Sequence, residues 1–401
     1  MLIVHKYGGT SVGSLERIKN VANRVAKAKR DGNSLVVVVS AMSGETNKLV
    51  DFAKYFSPNP SKREMDMLLS SGEMVTASLL AIALSEMGID AIAMSGGQAG
   101  IITDGVHTYA RIKTIDTGAM RREIDRGRVV VVAGFQGVNQ NGEVTTLGRG
   151  GSDLSAVAIA GAIGADACEI YSDVDGIYTT DPRVEPRAKK MSYISYDEML
   201  ELASLGAKVL QNRSVELAKK LNVKIIAKSS FSEAEGTVIG EERDGMETLL
   251  VSGIALDRNQ ARVSLKDVSD RPGIASEIFT KLADENINVD MIIQNASSNG
   301  LTTLGFTVPE SELPKAKEII DNFDHDIGGK DFDSNICKVS IVGVGMKSHS
   351  GVAATAFTAM AKENINIEMI STSEIKVSMV IEQKYAELAV RTLHSVYELD
   401  K

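Results

Sequence analysis

Two runs of four consecutive valines, 36–39 and 129–132, constrain this chain more than any other feature. A strand with one wet face alternates apolar and polar residues, whereas an unbroken β-branched run needs both of its faces covered. Similar short runs recur up to about residue 230. Strands are expected over Leu2–Lys6, Ser34–Ser40, Val129–Ala133, Cys168–Ser172 and Val223–Ala227. Between them lie helical patterns over Leu15–Lys29, Met65–Met87, Asp153–Ile163, Tyr196–Leu202 and Val215–Leu221. Alternating strands and helices with fully buried strands predict an α/β domain of three αβα layers on a mainly parallel sheet. Ligands of such sheets bind beyond the carboxyl ends of the strands. Lys6, Ser40, Gly134 and Asp173 all fall at such ends, so they can converge on one crevice.

At 401 residues the chain has room for two or three domains. A net charge of -9 and the lack of tryptophan argue against a nucleic-acid or membrane-surface binder. Two distant cysteines, Cys168 and Cys337, fit a reducing compartment. No secretory signal opens the sequence and no apolar run suggests a membrane span, so the cytoplasm is the expected location.

The polar stretch 231–248 reads as a linker, and the texture changes after it. Residues 283–292 (ADENINVDMI) return as 361–370 (AKENINIEMI), each copy preceded by a strand, a Gly-containing loop and a helix. Two β-loop-helix-β copies predict a pair of small ferredoxin-like (βαββαβ) modules. The expected division is therefore 1–230, a linker at 231–248, and modules at 249–336 and 337–401. Met246 stands ahead of the repeats, so a shorter chain started there is conceivable.

The chemistry concentrates in the first domain. Lys6 is followed by Gly8-Gly9 and by the hydroxyls of Thr10, Ser11 and Ser14 before the first helix. A strand that hands a lysine and a glycine turn to a helix N-terminus is suited to phosphate. Three further segments are rich in glycine and hydroxyls: 40–47, 70–76 (opening or interrupting a helix) and 145–153. In the last, Arg149 stands between glycines, where a guanidinium can fork onto a carboxylate or phosphate. The aspartates of 172–183 do not fit a calcium loop. They leave nucleotide contacts or plain turn chemistry open. Walker A, GxGxxG and protein-kinase signatures are missing, and the five histidines show no zinc spacing. A carboxylate acceptor, with an ordinary pKa near ~4, needs no general base.

Lys-Tyr-Gly-Gly-Thr-Ser at 6–11, Gly-Arg-Gly-Gly-Ser-Asp at 148–153 and Tyr-Thr-Thr-Asp-Pro-Arg at 178–183 resemble the aspartate kinases of the amino acid kinase family. The C-terminal repeats resemble their ACT modules, and the likeness spans the chain. The resemblance implies ATP-dependent phosphorylation of the side-chain carboxylate of L-aspartate, a first step toward lysine, threonine and methionine. It makes Lys6 and Asp153 the catalytic pair, with Asp153 orienting the lysine. Ser40, Thr46, Glu73, Arg149, Gly150, Gly151 and Ser152 would bind aspartate, Glu73 facing its ammonium group. Lys6, Tyr7, Gly8, Gly9, Ser172, Asp173, Tyr178, Asp181, Arg183 and Lys208 would bind the nucleotide. Mg²⁺ would arrive with ATP, and no dedicated metal site is expected.

In the repeats the resemblance implies effector sites for lysine, threonine or both. The residues concerned are Asp270, Asn288, Val289, Asp290 and Gln294, with Val352, Ala353, Asn366 and Ile367. Ser350 stands where many relatives carry proline. Paired ACT modules imply at least a homodimer. Two alternatives stay open: a family member acting on glutamate or acetylglutamate, and a non-catalytic amino-acid sensor.

Overall fold

The computed structural model describes residues 1–204, 210–242, 250–295, 300–323, 327–347, 349 and 351–401. Lys208, Met246 and Ser350 lie outside them. Two compact units emerge. The first comprises Met1–Ile177, Lys190–Ala203 and Lys208–Asp244, the second Tyr178–Lys189, Ser204–Ala207 and Gly245–Lys401.

In chain order the first unit carries β1 (Leu2–Tyr7), α1 (Leu15–Arg30), β2 (Ser34–Val39), α2 (Glu45–Phe56), α3 (Lys62–Glu86), β3 (Ala91–Met94), β4 (Ile101–Thr103), β5 (Ile112–Ile115), α4 (Gly118–Asp125) and β6 (Val129–Ala133). It continues with β7 (Gln136–Val138), β8 (Val144–Thr146), α5 (Gly151–Ile163), β9 (Ala167–Ser172), β10 (Tyr193–Ser195), α6 (Tyr196–Ser204), α7 (Asn212–Leu221), β11 (Ile225–Ser229) and β12 (Thr237–Gly240). The main sheet runs β10-β12-β11-β9-β1-β2-β6-β3. It is parallel except for the β11–β12 pair. Both valine runs lie at its centre, fully buried, as the lack of alternation requires.

α1 shows how the sequence dictates the layers. The Ser14 hydroxyl accepts from the Arg17 amide at 3.2 Å, and Lys27, Lys29 and Arg30 complement the dipole at the other end. Its buried residues Ile18, Val21, Ala22, Val25 and Ala26 follow the i, i+3, i+4 spacing and share a core with Tyr7, Val37, Val131 and Leu80.

Several expectations change. The linker 231–248 contains β12, inserted between β10 and β11, because Thr237, Val238 and Ile239 complete the sheet edge. The strand expected at 223–227 starts two residues later, since Asn222 caps α7 in the left-handed region (φ 51°) and Val223 begins the return. A second sheet, β5-β4-β7-β8, was not foreseen. α3 runs unbroken through 70–76. By length and composition it is the one described helix that could cross a bilayer, contrary to the expectation of no span-like apolar run. It carries two buried carboxylates, Asp66 and Glu73, and packs its inner face in the core.

The second unit contains β13 (Gly253–Ser269), α8 (Ile274–Asp284), β14 (Ile292–Gln294), β15 (Leu301–Val308), α9 (Leu313–Asp321), β16 (Ile327–Val342), α10 (Val352–Lys362), β17 (Met369–Thr372), β18 (Lys376–Glu382) and α11 (Ala386–Val396). They form one antiparallel sheet, β14-β15-β13-β16-β18-β17. β13 and β16 each serve both repeats. Residues 253–257 pair with 338–342, and 262–268 pair with 327–333. Val251 and Ile254 accordingly pack with the core of 337–399 rather than with that of 261–327, so the linear boundary at 249 does not follow the cores.

The segment 178–189, placed by sequence in the first domain, belongs to this unit. Thr179 Oγ1 lies 2.9 Å from His394 Nε2, the Ile254 amide donates to the Thr179 carbonyl at 2.7 Å, and Arg391 Nε donates to the Val184 carbonyl at 2.9 Å.

Candidate active site

The carboxyl ends of β9, β1, β2 and β6 are tied side by side. The Gly8 amide donates to the Tyr171 carbonyl at 3.2 Å, Ser40 to Tyr7 at 3.1 Å and Gly134 to Val39 at 3.0 Å. Beyond them the loops interlock, with the Ser43 amide donating to the Gly9 carbonyl at 3.2 Å. These bonds bring Lys6, Gly8, Gly9, Ser40 and Gly134 together at the carboxyl edge of the sheet.

Lys6 and Asp153 form its centre. Lys6 Nζ is 2.6 Å from Asp153 Oδ1, and both side chains are about nine-tenths buried. At that distance the carboxylate holds the lysine in place, and an ammonium group with three protons has others for an incoming anion. The ammonium hangs beside Gly8, 3.4 Å from where a Cβ would stand. Asp153 comes from the first turn of α5, whose start is set by Gly150 at φ 75°. A side chain on Gly150 would be strained and would collide with Gln211. Ser152 is buried and lies against Gly134. The Arg149 side chain is exposed, with no partner among the described residues.

Glu73 faces the same loops from α3. It is buried, and its Oε1 accepts from the Ala41 amide at 3.0 Å. Its Oε2 is buried without any partner. Burial raises its pKa from the ordinary 4.5 to about 7, against the lowering effect of the Ala41 amide. A buried carboxylate oxygen with nothing to accept from is costly, and a ligand cation would relieve it. Thr46 is half-buried in the first turn of α2, Ser172 ends β9, and the exposed Asp173 follows it. Tyr7 does not face this crevice: its ring stacks on Tyr171 at 4.7 Å within the α1 core, so only its backbone can serve a nucleotide.

Tyr178, Asp181 and Arg183 belong to the other unit. There Asp181 holds Arg183 Nη2 at 2.7 Å, which keeps the Asp181 carboxyl below its usual range. Of the residues expected to bind effector, Asp270, Asn288, Gln294 and Asn366 are exposed, Val289, Ala353 and Ile367 are half-buried, and Val352 is buried. Asp290 is already paired with Lys338 of β16.

Sequence reasoning missed a second layer. Asp66, fully buried on α3, accepts from His107 Nδ1 (2.7 Å), the Thr108 amide (3.1 Å) and Thr146 Oγ1 (2.5 Å). Arg213 Nη1 donates to the Leu147 carbonyl at 2.6 Å and Nη2 to that of Ala110 at 3.2 Å. Together they fix Thr146 and Leu147, directly before Gly148 and Arg149, and the neighbouring segment 107–110. Nothing in the spacing announces them, since each partner is more than 40 residues away. Asp66→Ala orphans a buried amide and two polar side chains. It should cost about 3 kcal/mol of stability in urea denaturation and raise the aspartate KM.

Comparison with known proteins agrees with this architecture. Residues 1–228 match the amino acid kinase family, and residues 266–322 and 339–397 match the ACT domain. The chain is 59% identical to an aspartokinase of Helicobacter pylori, over the full length of both. It is similar to E. coli aspartokinase III in complex with aspartate and ADP (25% identity, 99% of each chain, TM-score 0.81). The same enzyme in complex with lysine and aspartate matches at 25% identity over 98% of this chain and 99% of that one, with a TM-score of 0.79.

Proposed function

We propose, for a chain that belongs to the amino acid kinase family and within it to the aspartokinases, that the Lys6–Asp153 crevice phosphorylates the side-chain carboxylate of L-aspartate at the expense of ATP. A carboxylate oxygen of aspartate attacks the γ-phosphorus. The bond to the bridging oxygen breaks, and ADP leaves with its electron pair. Nucleophile and leaving group are both anions, so the chain contributes alignment and positive charge rather than a base. Lys6 neutralises charge on the transferring group, the backbone around Gly8 and Gly9 gives it close approach, and Asp153 keeps the lysine aimed. The observation that carries the reading is a buried carboxylate oxygen without a partner, Glu73 Oε2, facing the loops that hold the buried Lys6–Asp153 pair.

In this reading Glu73 accepts the substrate ammonium and Arg149 forks onto a carboxylate. Ser40, Thr46, Ser152 and the turn at Gly150 and Gly151 complete the acceptor site, and Ser172 and Asp173 meet the nucleotide. Mg²⁺ enters on the ATP phosphates, as is usual for a small ion that keeps most of its waters. The ACT repeats bind lysine as a feedback effector, threonine being a second candidate, and the chain works as a homo-oligomer in the cytoplasm. The effector's influence on aspartate and the converse must be equal as binding free energies.

Hydroxylamine trapping of the acyl phosphate across aspartate, glutamate and acetylglutamate tests the assignment. Aspartate should dominate, and lysine should suppress its turnover. Preference for another acceptor would overturn the reading.

A further inference from the structure

We propose that a cleft of about 480 Å³ in the first unit binds a small anionic metabolite at a site separate from the Lys6–Asp153 centre. The two sites lie on opposite faces of the sheet. Consecutive strand residues point to opposite sides. Lys6 turns toward α5 and its Asp153, whereas Tyr7 packs into the core that α1 covers.

The cleft is built from one stripe of α1. Arg17, Asn20, Arg24 and Lys27 fall at i, i+3, i+7 and i+10, so they share a helix face. The opposite wall is the segment after β11. Arg24 is the anchor: its side chain is 18% exposed, its guanidinium stands 5.1 Å over the Tyr171 ring, and Nη2 donates to the Ser232 carbonyl at 3.0 Å. One turn on, Lys27 adds a second cation. Arg17 lies 5.2 Å over Phe231, its Nη1 on the Thr10 carbonyl at 2.6 Å. At the floor Ser11 Oγ and Ser230 Oγ are 2.5 Å apart and offer a hydroxyl pair to a polar ligand body.

An acidic group already marks where the anion goes. The Glu233 carboxylate lies 3.1 Å from Arg24 and 3.7 Å from Lys27, yet its side chain is 74% exposed. A solvated pair of that kind contributes little, so an incoming anion can displace the glutamate. Three cations against one carboxylate leave local positive charge on a chain whose net charge is -9. Arg17 stands about 10 Å along the helix from Arg24, farther than one phosphate or carboxylate spans. The site therefore suits a metabolite with an anionic end at Arg24 and Lys27 and a hydroxylated or second anionic part reaching Ser11 and Arg17. Phosphate esters and polycarboxylates share this chemistry.

Titration calorimetry on the full chain tests it, with inorganic phosphate and citrate as probes. A Lys6→Ala/Asp153→Asn background removes the charged pair of the catalytic crevice. Saturable binding is expected. Glu233→Gln should tighten it by about threefold, by removing the internal competitor. Arg24→Gln and Lys27→Gln should each weaken it by about tenfold. If Arg24→Gln fails to fold for loss of its stack on Tyr171, the opposite shifts of Glu233→Gln and Lys27→Gln carry the test. A stronger response to phosphate points to a phosphate ester, and a stronger response to citrate to a polycarboxylate. No saturable binding of either probe, or affinities unchanged by Glu233→Gln and Lys27→Gln, would overturn the proposal.

Discussion

Lys6→Ala is expected to lower kcat by about 10³-fold, the loss of a preorganised full charge at the phosphoryl group. The same change leaves Asp153 buried without its cation, which costs about 3–5 kcal/mol of stability. The two effects can be separated. Lys6→Ala combined with Asp153→Asn should recover much of the stability, read as a denaturation midpoint, and none of the turnover. A single variant that keeps kcat within about tenfold of the parent would remove Lys6 from the transition state, because a charge at the reacting group is worth more than that.

The second large effect belongs to Glu73. Its unmet Oε2 and its pKa of about 7 predict that aspartate binds better as pH rises from 6 to 8, since only the ionised carboxylate pairs with an ammonium group. Glu73→Gln should raise the aspartate KM by about 10–100-fold, as expected for loss of a charge-assisted bond, and flatten that pH dependence. Stability moves the other way. The folded protein holds the proton up to about 7 while the unfolded chain releases it near 4.5. In that window the folded state binds more protons, so unliganded stability falls as pH rises through it. Aspartate should offset the fall. A pH-independent KM in the parent chain would break the link between Glu73 and the substrate ammonium.

The parts of this architecture that depend on local signals were readable from the residues. Unbroken valine runs required a covered parallel sheet, the hydroxyls up to Ser14 marked the start of α1, and the 78-residue echo announced paired modules. The Lys6–Asp153 pair was expected from its motifs. Segment 70–76 misled because serine, glycine and threonine ordinarily signal a turn. Here the hydroxyls satisfy themselves inside the helix, Ser70 on the Met67 carbonyl at 2.9 Å and Ser71 on that of Leu68 at 2.6 Å. Gly72 has a packing purpose, since a Cβ there would stand 2.9 Å from that of Ala41. β12 and the Asp66–His107–Thr146 cluster are products of tertiary pairing, and no window of sequence contains both partners.

The long strands β13 and β16 carry a consequence for how the regulatory half can be cut, inherited or melted. The second repeat borrows a strand that lies ahead of the first in sequence, residues 253–257 against 338–342. A fragment starting near 337 would be born with an open sheet edge and a core missing Ile254. The smallest piece expected to stand alone therefore starts near residue 250. Within it the two repeats should lose structure in a single calorimetric transition, and a gene fusion could move them only as a pair.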